Sequence, residues 1–414
     1  MQPVEAAQTQ VKKLVVFTGA AEQTQLPEQE KIRQEFEKKH PDIKVEYLPV
    51  VWPWVPKFNT LLAAGSPPDA IVPGLTLDYL DQGVWLDLDP LIARDRVDTS
   101  KYFEAVWKET SWKGIRYGMP VGIYTDAVFY NKDLLDQAGL PEPPHSYDDP
   151  SWTWDKYVNY AKKITKDTNG DGTPEIWGMD GVGNTLVFLR SFGAEQFSAD
   201  MRTALFDSPQ MKTGFEYLQS LFRNHLTPTY QERVAQGLSG VGFPTGKVGM
   251  LIDFTSRYRN LLNVPKLNWD LAAKPRGPAG PKVLLYSDTI NIVASSPNKE
   301  LAWEWVKFIS QPDVLPRLAI YGLRAIPPTA EGAALWAKEM AAVKRDVDWM
   351  VFIKGLPYAA APEPWHPAFQ DIYNLRTSTE SDIKEMKADV STALKSLDEK
   401  VQQLLDDYWA KQRK

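Results

Sequence analysis

The sequence has 414 residues, enough for two or three cores of ordinary size. Its 47 basic and 53 acidic residues give a formal charge of -6 with no block of Lys and Arg, which argues against nucleic acid as a partner. The absence of cysteine excludes disulfides and thiolate chemistry, and no apolar run approaches the ~20 residues of a membrane-spanning helix.

The opening "MQPVEAAQTQVKK" lacks the basic start and apolar stretch of a signal peptide; it fits a mature start whose signal was removed and, equally, an ordinary initiating Met. "KKLVVF", "PEQEKIRQEFEKKH" and "IKVEYLPV" then read as strand, helix, strand, with Pro27 in the first helical turn, Pro41 as its stop, and Ile43, Val45 and Tyr47 on one strand face. "FNTLLAAGSPPDAIVPG" adds a helix and a short buried strand from Asp69 to Val72, so an α/β sheet is expected. "TDAVFYNKDLLDQAGLP" repeats the pattern, its helix ending at Gly139 and Pro141. In "SPNKELAWEWVKFISQP" Ser296 is the expected cap, with Leu301, Trp305 and Phe308 on one face and Trp303 and Trp305 in the core. The tail carries Ile383, Met386, Val390, Leu394, Leu397, Val401, Leu404 and Tyr408 at steps of three and four, the pattern of a helix packed on its own domain or of a coiled-coil seam.

"DTNGDGTPE" places Asp167, Asn169, Asp171 and Gly172 like the start of a calcium loop, but the twelfth position is Gly178 instead of Glu. Two readings stay open. One is a tight turn in which Asn169, Gly170 and Gly172 tolerate positive φ; the other is a structural calcium ion held by Asp167, Asn169, Asp171, Glu175 and a carbonyl near Thr173, with no cofactor otherwise required.

Enzyme signatures are absent: there is no G-x-S-x-G, H-E-x-x-H or Walker loop, "GVGNT" lacks a third glycine, and His40, His145, His225 and His366 have no neighbour at metal-ligand spacing. A pair of carboxylates that meets only in space stays open, and with it a glycoside hydrolase. The 15 Trp include Trp52, Trp54, Trp152, Trp154 and Trp365 beside prolines and turn formers, where they serve either as flat platforms for sugar rings or as packing.

Several phrases occur together in a telling order. "KFNTLLAAGSPPDAIV", "LDQGVWLDLDPLI", "PVGIYTDAVFYNKDLLDQAGL", "SWTWDKYVNYAKKIT", "DTNGDGTPEIWG", "GKVGMLI" and "INIVASSPNKELAWEWVKFIS" resemble the extracellular solute-binding proteins of ABC importers, over roughly residues 13–330. The branch they are most similar to is the sugar-binding group that includes maltose-binding protein. The resemblance implies an α/β fold of two lobes with discontinuous segments, residues 1–123 plus 289–327 and residues 124–288 plus 328–414. The chain would cross a hinge near 123–125, 286–289 and 326–329. It also implies a monomeric, non-enzymatic, extracytoplasmic receptor in the periplasm or at the cell surface. Its partners would be a carbohydrate, best matched by an oligosaccharide, and the transmembrane subunits of a permease, with membrane contact only through that permease or a lost lipid anchor.

Carried over by position, the resemblance places ligand contacts at Thr18, Gly19 and Ala20, and at the stretch ending in Thr76. There maltose binders carry an aromatic residue and a carboxylate that this sequence lacks. It further points to Tyr124 with Asp126 beside it, to Asp253, Ser256 and Arg257 in "LIDFTSRYRN", and to Ser287 and Asp288 in "YSDT". Arg257 would either clamp a ligand carboxylate or pair with a structural Asp. Neutral oligosaccharides, uronates and phosphorylated polyols all remain open. Trp54, Trp154 and Trp365 complete the expected ligand-binding set.

Overall fold

The computed structural model describes residues 11–18, 26–49, 54–72, 79–80, 82–238, 242–323, 325–360, 366 and 368–411. The chain divides into two compact units, Met1–Ile123 with Ser287–Trp336, and Tyr124–Tyr286 with Ala337–Lys414. Two strands, Met119–Asn131 and Val283–Ile292, run from one unit into the other. The third crossing follows Trp336, so residues 326–329 lie inside the first unit.

The first unit opens as the apolar alternation dictates. Strand Lys12–Thr18 pairs in parallel with Ile43–Pro49, Leu14 opposite Val45 and Val16 opposite Tyr47, and on its other side with Ala70–Val72. Helix Leu26–Lys39 makes the crossover, buries Ile32 and Phe36, and ends before Pro41. Asn291 and Ile292 then add an antiparallel strand against Ile71 and Ala70. Asp69 is buried beside this edge, where its carboxylate accepts the Val15 amide at 2.7 Å and the Ser296 hydroxyl at 2.5 Å. Ser296 is therefore not the helix cap. Helix Lys299–Ile309 begins after Asn298, and Ser296 turns its hydroxyl to Asp69 while accepting the Asn298 amide. Trp303, Trp305 and Phe308 are core residues, as their spacing predicts.

In the second unit Val128 sits between Ile252 and Ala272, so strand Met119–Asn131 is flanked by Val248–Phe254 and Trp269–Ala272, both antiparallel to it. Trp177–Asp180 extends the sheet in parallel beside Val248–Phe254. Helix Trp154–Ile164 lies so close to that edge that a Cβ on Gly178 would stand 2.1 Å from the Ala161 carbonyl oxygen. Only glycine permits that approach. The tail forms two helices, Phe369–Lys384 and Val390–Lys411, which bury Ile383, Val390, Leu394, Leu397 and Val401. Met386 instead falls in the turn at φ +56°, and Leu405 takes the buried place expected of Leu404. Among the described residues no helix is long and apolar enough to cross a membrane.

Candidate functional site

A pocket of about 600 Å3 lies within the second unit. Strand Val248–Phe254 ends at it and delivers Asp253, and the following 3-10 turn Thr255–Arg257 delivers Arg257. That turn is fixed to the central strand, because the Thr255 hydroxyl donates to the Thr125 carbonyl at 2.8 Å and accepts the Thr125 amide at 3.0 Å. The loop after Trp177–Asp180 forms another part of the lining. Its Gly183 has φ +73° and room for no Cβ, which would stand 2.5 Å from Ile252. Helix Tyr230–Ala235 and the end of helix Phe369–Lys384 complete it with Tyr230, Arg233, Glu380 and Lys384.

Most of the charges here are paired within the protein, while Glu385, also in the lining, accepts the Tyr230 amide. Arg257 donates from Nε to Asp253 at 2.6 Å, and Arg233 pairs with Asp180, whose second oxygen accepts the Gly242 amide at 3.0 Å. Glu380 is held by Lys384 and Thr185 and by Arg376 at 3.0 Å. Asp126 and Lys274, each 1% exposed, form a pair at 2.6 Å. Burial raises the Asp253 carboxyl above its ordinary value, with Arg257 opposing it. Burial would also raise Glu380, but Lys384, Thr185 and Arg376 together hold it below the ordinary value.

Of the expected contacts, the pocket gathers Asp126, Asp253 and Arg257. Arg257 takes the second of its two readings, the structural pair with an Asp. Ser256 lies between these residues in the same turn, and Tyr124 is half-buried at the first position of the second unit. Trp54 and Trp154 are not platforms: both are about 96–97% buried, being 4% and 3% exposed. Trp54 packs against Phe17 and Phe58, while Trp154 opens a helix, meets Phe188 edge-on and donates to Ser191 Oγ at 2.9 Å. Turn formers precede a tryptophan at a helix start as readily as one in a loop, which is why sequence placed them wrongly. In the first unit the Thr18 hydroxyl is engaged by Gln29 at 3.1 Å, and Ser287 donates to Glu109 at 2.5 Å with Asp288 beside that carboxyl. Gly19, Thr76 and Trp365 lie outside the described residues, as do Ala20 and Trp52.

Sequence reasoning missed Asp180, Tyr230, Arg233, Glu380 and Lys384 as site residues. One signal was present: the paired glycines of "GVGNT" mark the tight loop after Asp180. The others sit on ordinary amphipathic or capped helices and carry no local mark.

The loop 167–175 closes on its own backbone. Asp167 accepts the amides of Gly170 at 2.7 Å and Gly172 at 2.8 Å, Asp171 accepts that of Thr173, and Glu175 accepts that of Thr168. Positive φ occurs at Gly170 and Gly172 and not at Asn169. The Gly172 and Gly170 amides lower the Asp167 carboxyl from its ordinary value. Oxygens of Asp167, Asp171 and Glu175 also lie within 4.8 Å of one another, a spacing one divalent ion can bridge. With the amides already closing the turn, a melting curve that does not move with chelator or with added calcium is the expected result; a calcium-dependent rise assigns the ion. His145 also gains neighbours that its spacing did not show, Glu142 and Asp270, but Lys132 already lies 3.3 Å and 3.5 Å from those carboxylates as their cation.

Residues 21–315 match the family described as bacterial extracellular solute-binding protein. A putative binding protein of Brucella abortus (strain 2308) is 27% identical over 298 residues, covering 69% of this chain and 68% of its own. An arabinooligosaccharide-binding protein of Bacillus subtilis (strain 168) is 26% identical over 264 residues, 58% of this chain and 55% of its own. Among solved structures, an ABC substrate-binding protein of Listeria monocytogenes in complex with cycloalternan superposes with a TM-score of 0.78 at 21% identity, covering 95% of this chain and 99% of that one. The sugar-binding protein MalE of Xanthomonas citri superposes with a TM-score of 0.78 at 19% identity over 97% and 100%. These structures share the two-lobed α/β fold, and with most of the sequence matched, the chain belongs to the bacterial extracellular solute-binding protein family.

Proposed function

We propose that this chain is the extracytoplasmic receptor of an ABC importer, and that it captures an uncharged carbohydrate and hands it unchanged to the membrane permease. Family membership supports the receptor role, and a relative named for arabinooligosaccharide together with similar solved structures holding cycloalternan and mannotriose supports the ligand class. The observation that carries the neutral charge is the pairing in the pocket. Asp180 with Arg233, Asp253 with Arg257, and Glu380 with Lys384 set acceptors and donors side by side without net charge. Sugar hydroxyls are both donors and acceptors, so they can bond to such pairs without separating them. A uronate or a sugar phosphate would have to draw a cation away and leave a half-buried carboxylate uncompensated, which costs several kcal/mol.

A thermal-shift panel tests this reading. Neutral oligosaccharides are expected to stabilise the protein by about 2.7 kcal/mol at a hundred times Kd, with no sugar product released. Uronates and sugar phosphates at equal concentration are expected to give no shift. Stronger stabilisation by an acidic sugar would refute the neutral ligand, and released product would refute the receptor.

A further inference from the structure

Glycine leaves the backbone nitrogen that follows an Asn or Asp unhindered, so Asn–Gly and Asp–Gly peptides are where a chain most readily closes a succinimide. This sequence has three: Asn169–Gly170, Asp171–Gly172 and Asp180–Gly181. Asp180 is buried and paired with Arg233, and the Gly181 amide donates to the Thr227 hydroxyl at 2.8 Å. The other two peptides lie in the exposed part of the loop 167–175. Among the described residues nothing beyond the adjoining ones stands within 4 Å of where a Cβ on Gly170 or Gly172 would be, so packing does not protect them. Both amides donate instead to one side chain, Gly170 to Asp167 Oδ1 at 2.7 Å and Gly172 to Asp167 Oδ2 at 2.8 Å. The side chains they would attack are held as well. Asn169 Oδ1 accepts the Asp171 amide and Asp171 Oδ1 that of Thr173, each at 2.8 Å, and Asn169 Nδ2 donates to Asp171 Oδ2 at 3.2 Å.

We propose that Asp167 shields both peptides from succinimide formation, and so sets the chemical lifetime of the loop that leads into strand Trp177–Asp180. In the reaction the Gly170 amide gives its proton to a base in solution, its nitrogen bonds to Asn169 Cγ, and the Cγ–Nδ2 bond breaks with loss of ammonia. Water then opens the imide at either carbonyl and leaves Asp or isoaspartate. At Asp171 the same attack by the Gly172 nitrogen expels water. In both cases the proton that must leave is the one Asp167 accepts, and a carboxylate there opposes the nitrogen anion that would form beside it. Asp167 is itself a weak base, since the Gly172 and Gly170 amides lower its carboxyl from the ordinary value. Turning either nitrogen toward Cγ also breaks a charge-assisted bond.

The test is ageing of the full chain at about pH 8.5 with chelator present, followed by peptide mass spectrometry of the segment that holds Asn169. The folded protein should deamidate there at least about tenfold more slowly than the same chain unfolded in guanidinium chloride. Asp167→Ala should come within about threefold of the unfolded rate. Asp167→Asn, with one carbonyl oxygen left for two amides, should fall between. Glu175→Ala opens the other closure of the loop, its bonds to Thr168, and should stay within about twofold of the unaltered protein. A folded chain that deamidates as fast as the unfolded one overturns the shield, as does an Asp167→Ala rate equal to that of the unaltered protein. An equal acceleration by Glu175→Ala overturns it too, because loop order in general would then be the cause.

Discussion

Replacing Lys274 by methionine is expected to destabilise the second unit by about 3–5 kcal/mol. The ammonium group stands 2.6 Å from Asp126, and both side chains are 1% exposed. Asp126 lies on strand Met119–Asn131, and Lys274 follows the strand Trp269–Ala272 that pairs with it, so the two charges are brought together by sheet register. The other Asp126 oxygen accepts the Leu284 amide at 2.8 Å. Methionine fills similar space but leaves that carboxylate with a single amide donor and no counter-charge. Urea unfolding followed by tryptophan fluorescence reads the loss. Adding Asp126→Asn to Lys274→Met should recover part of it, because a neutral amide no longer needs a cation. A single-mutant loss below about 1 kcal/mol would mean that water reaches the pair.

The second large effect is one of pH. Burial pushes the Glu109 carboxyl up from its ordinary value of 4.5 to about 8, against the Ser287 hydroxyl and with Asp288 adding repulsion. An acid with a raised folded pKa holds its proton more tightly folded than unfolded. Between about 4.5 and 8 the folded chain therefore binds the extra proton, and stability falls as pH rises across that window. The full fall is about 3 kcal/mol once the shift is discounted for a side chain that is only half-buried. Glu109→Gln keeps an acceptor for Ser287 and carries no titratable proton. It should flatten the fall in Tm between pH 6 and 9 and raise Tm at pH 9. A variant whose Tm declines with pH as steeply as the unaltered protein would show that Glu109 ionises without cost.

The parts of the fold that were legible are those whose chemistry is local. Alternating apolar residues in Lys12–Thr18 and Ile43–Pro49, with Pro27 and Pro41 bounding the helix between them, report one layer of the sheet without any tertiary information. Asp253 and Arg257 were within reach for the same reason, being four residues apart. Asp180 finds Arg233 across 53 residues, and Thr185 finds Glu380 across 195. No periodicity encodes such meetings. Trp54 and Trp154 mislead in the opposite way, because a bulky residue after a turn looks like a loop platform until the core it fills is known. Ser296 shows a third case: a good cap residue was drawn off by Asp69, 227 positions away.

The antiparallel partners of Ala70 and Ile71 have a consequence for the order of synthesis. These residues wait for Ile292 and Asn291, some two hundred positions later in the chain. At about 5–20 residues per second, the early strands leave the ribosome roughly 10–40 seconds before the strand that covers their edge. During that interval the whole middle segment Tyr124–Tyr286 emerges, so the chain's first apolar strands keep one edge uncovered until that segment has been made. A nascent chain of this design stays open along its leading segment until about seven tenths of it has been made.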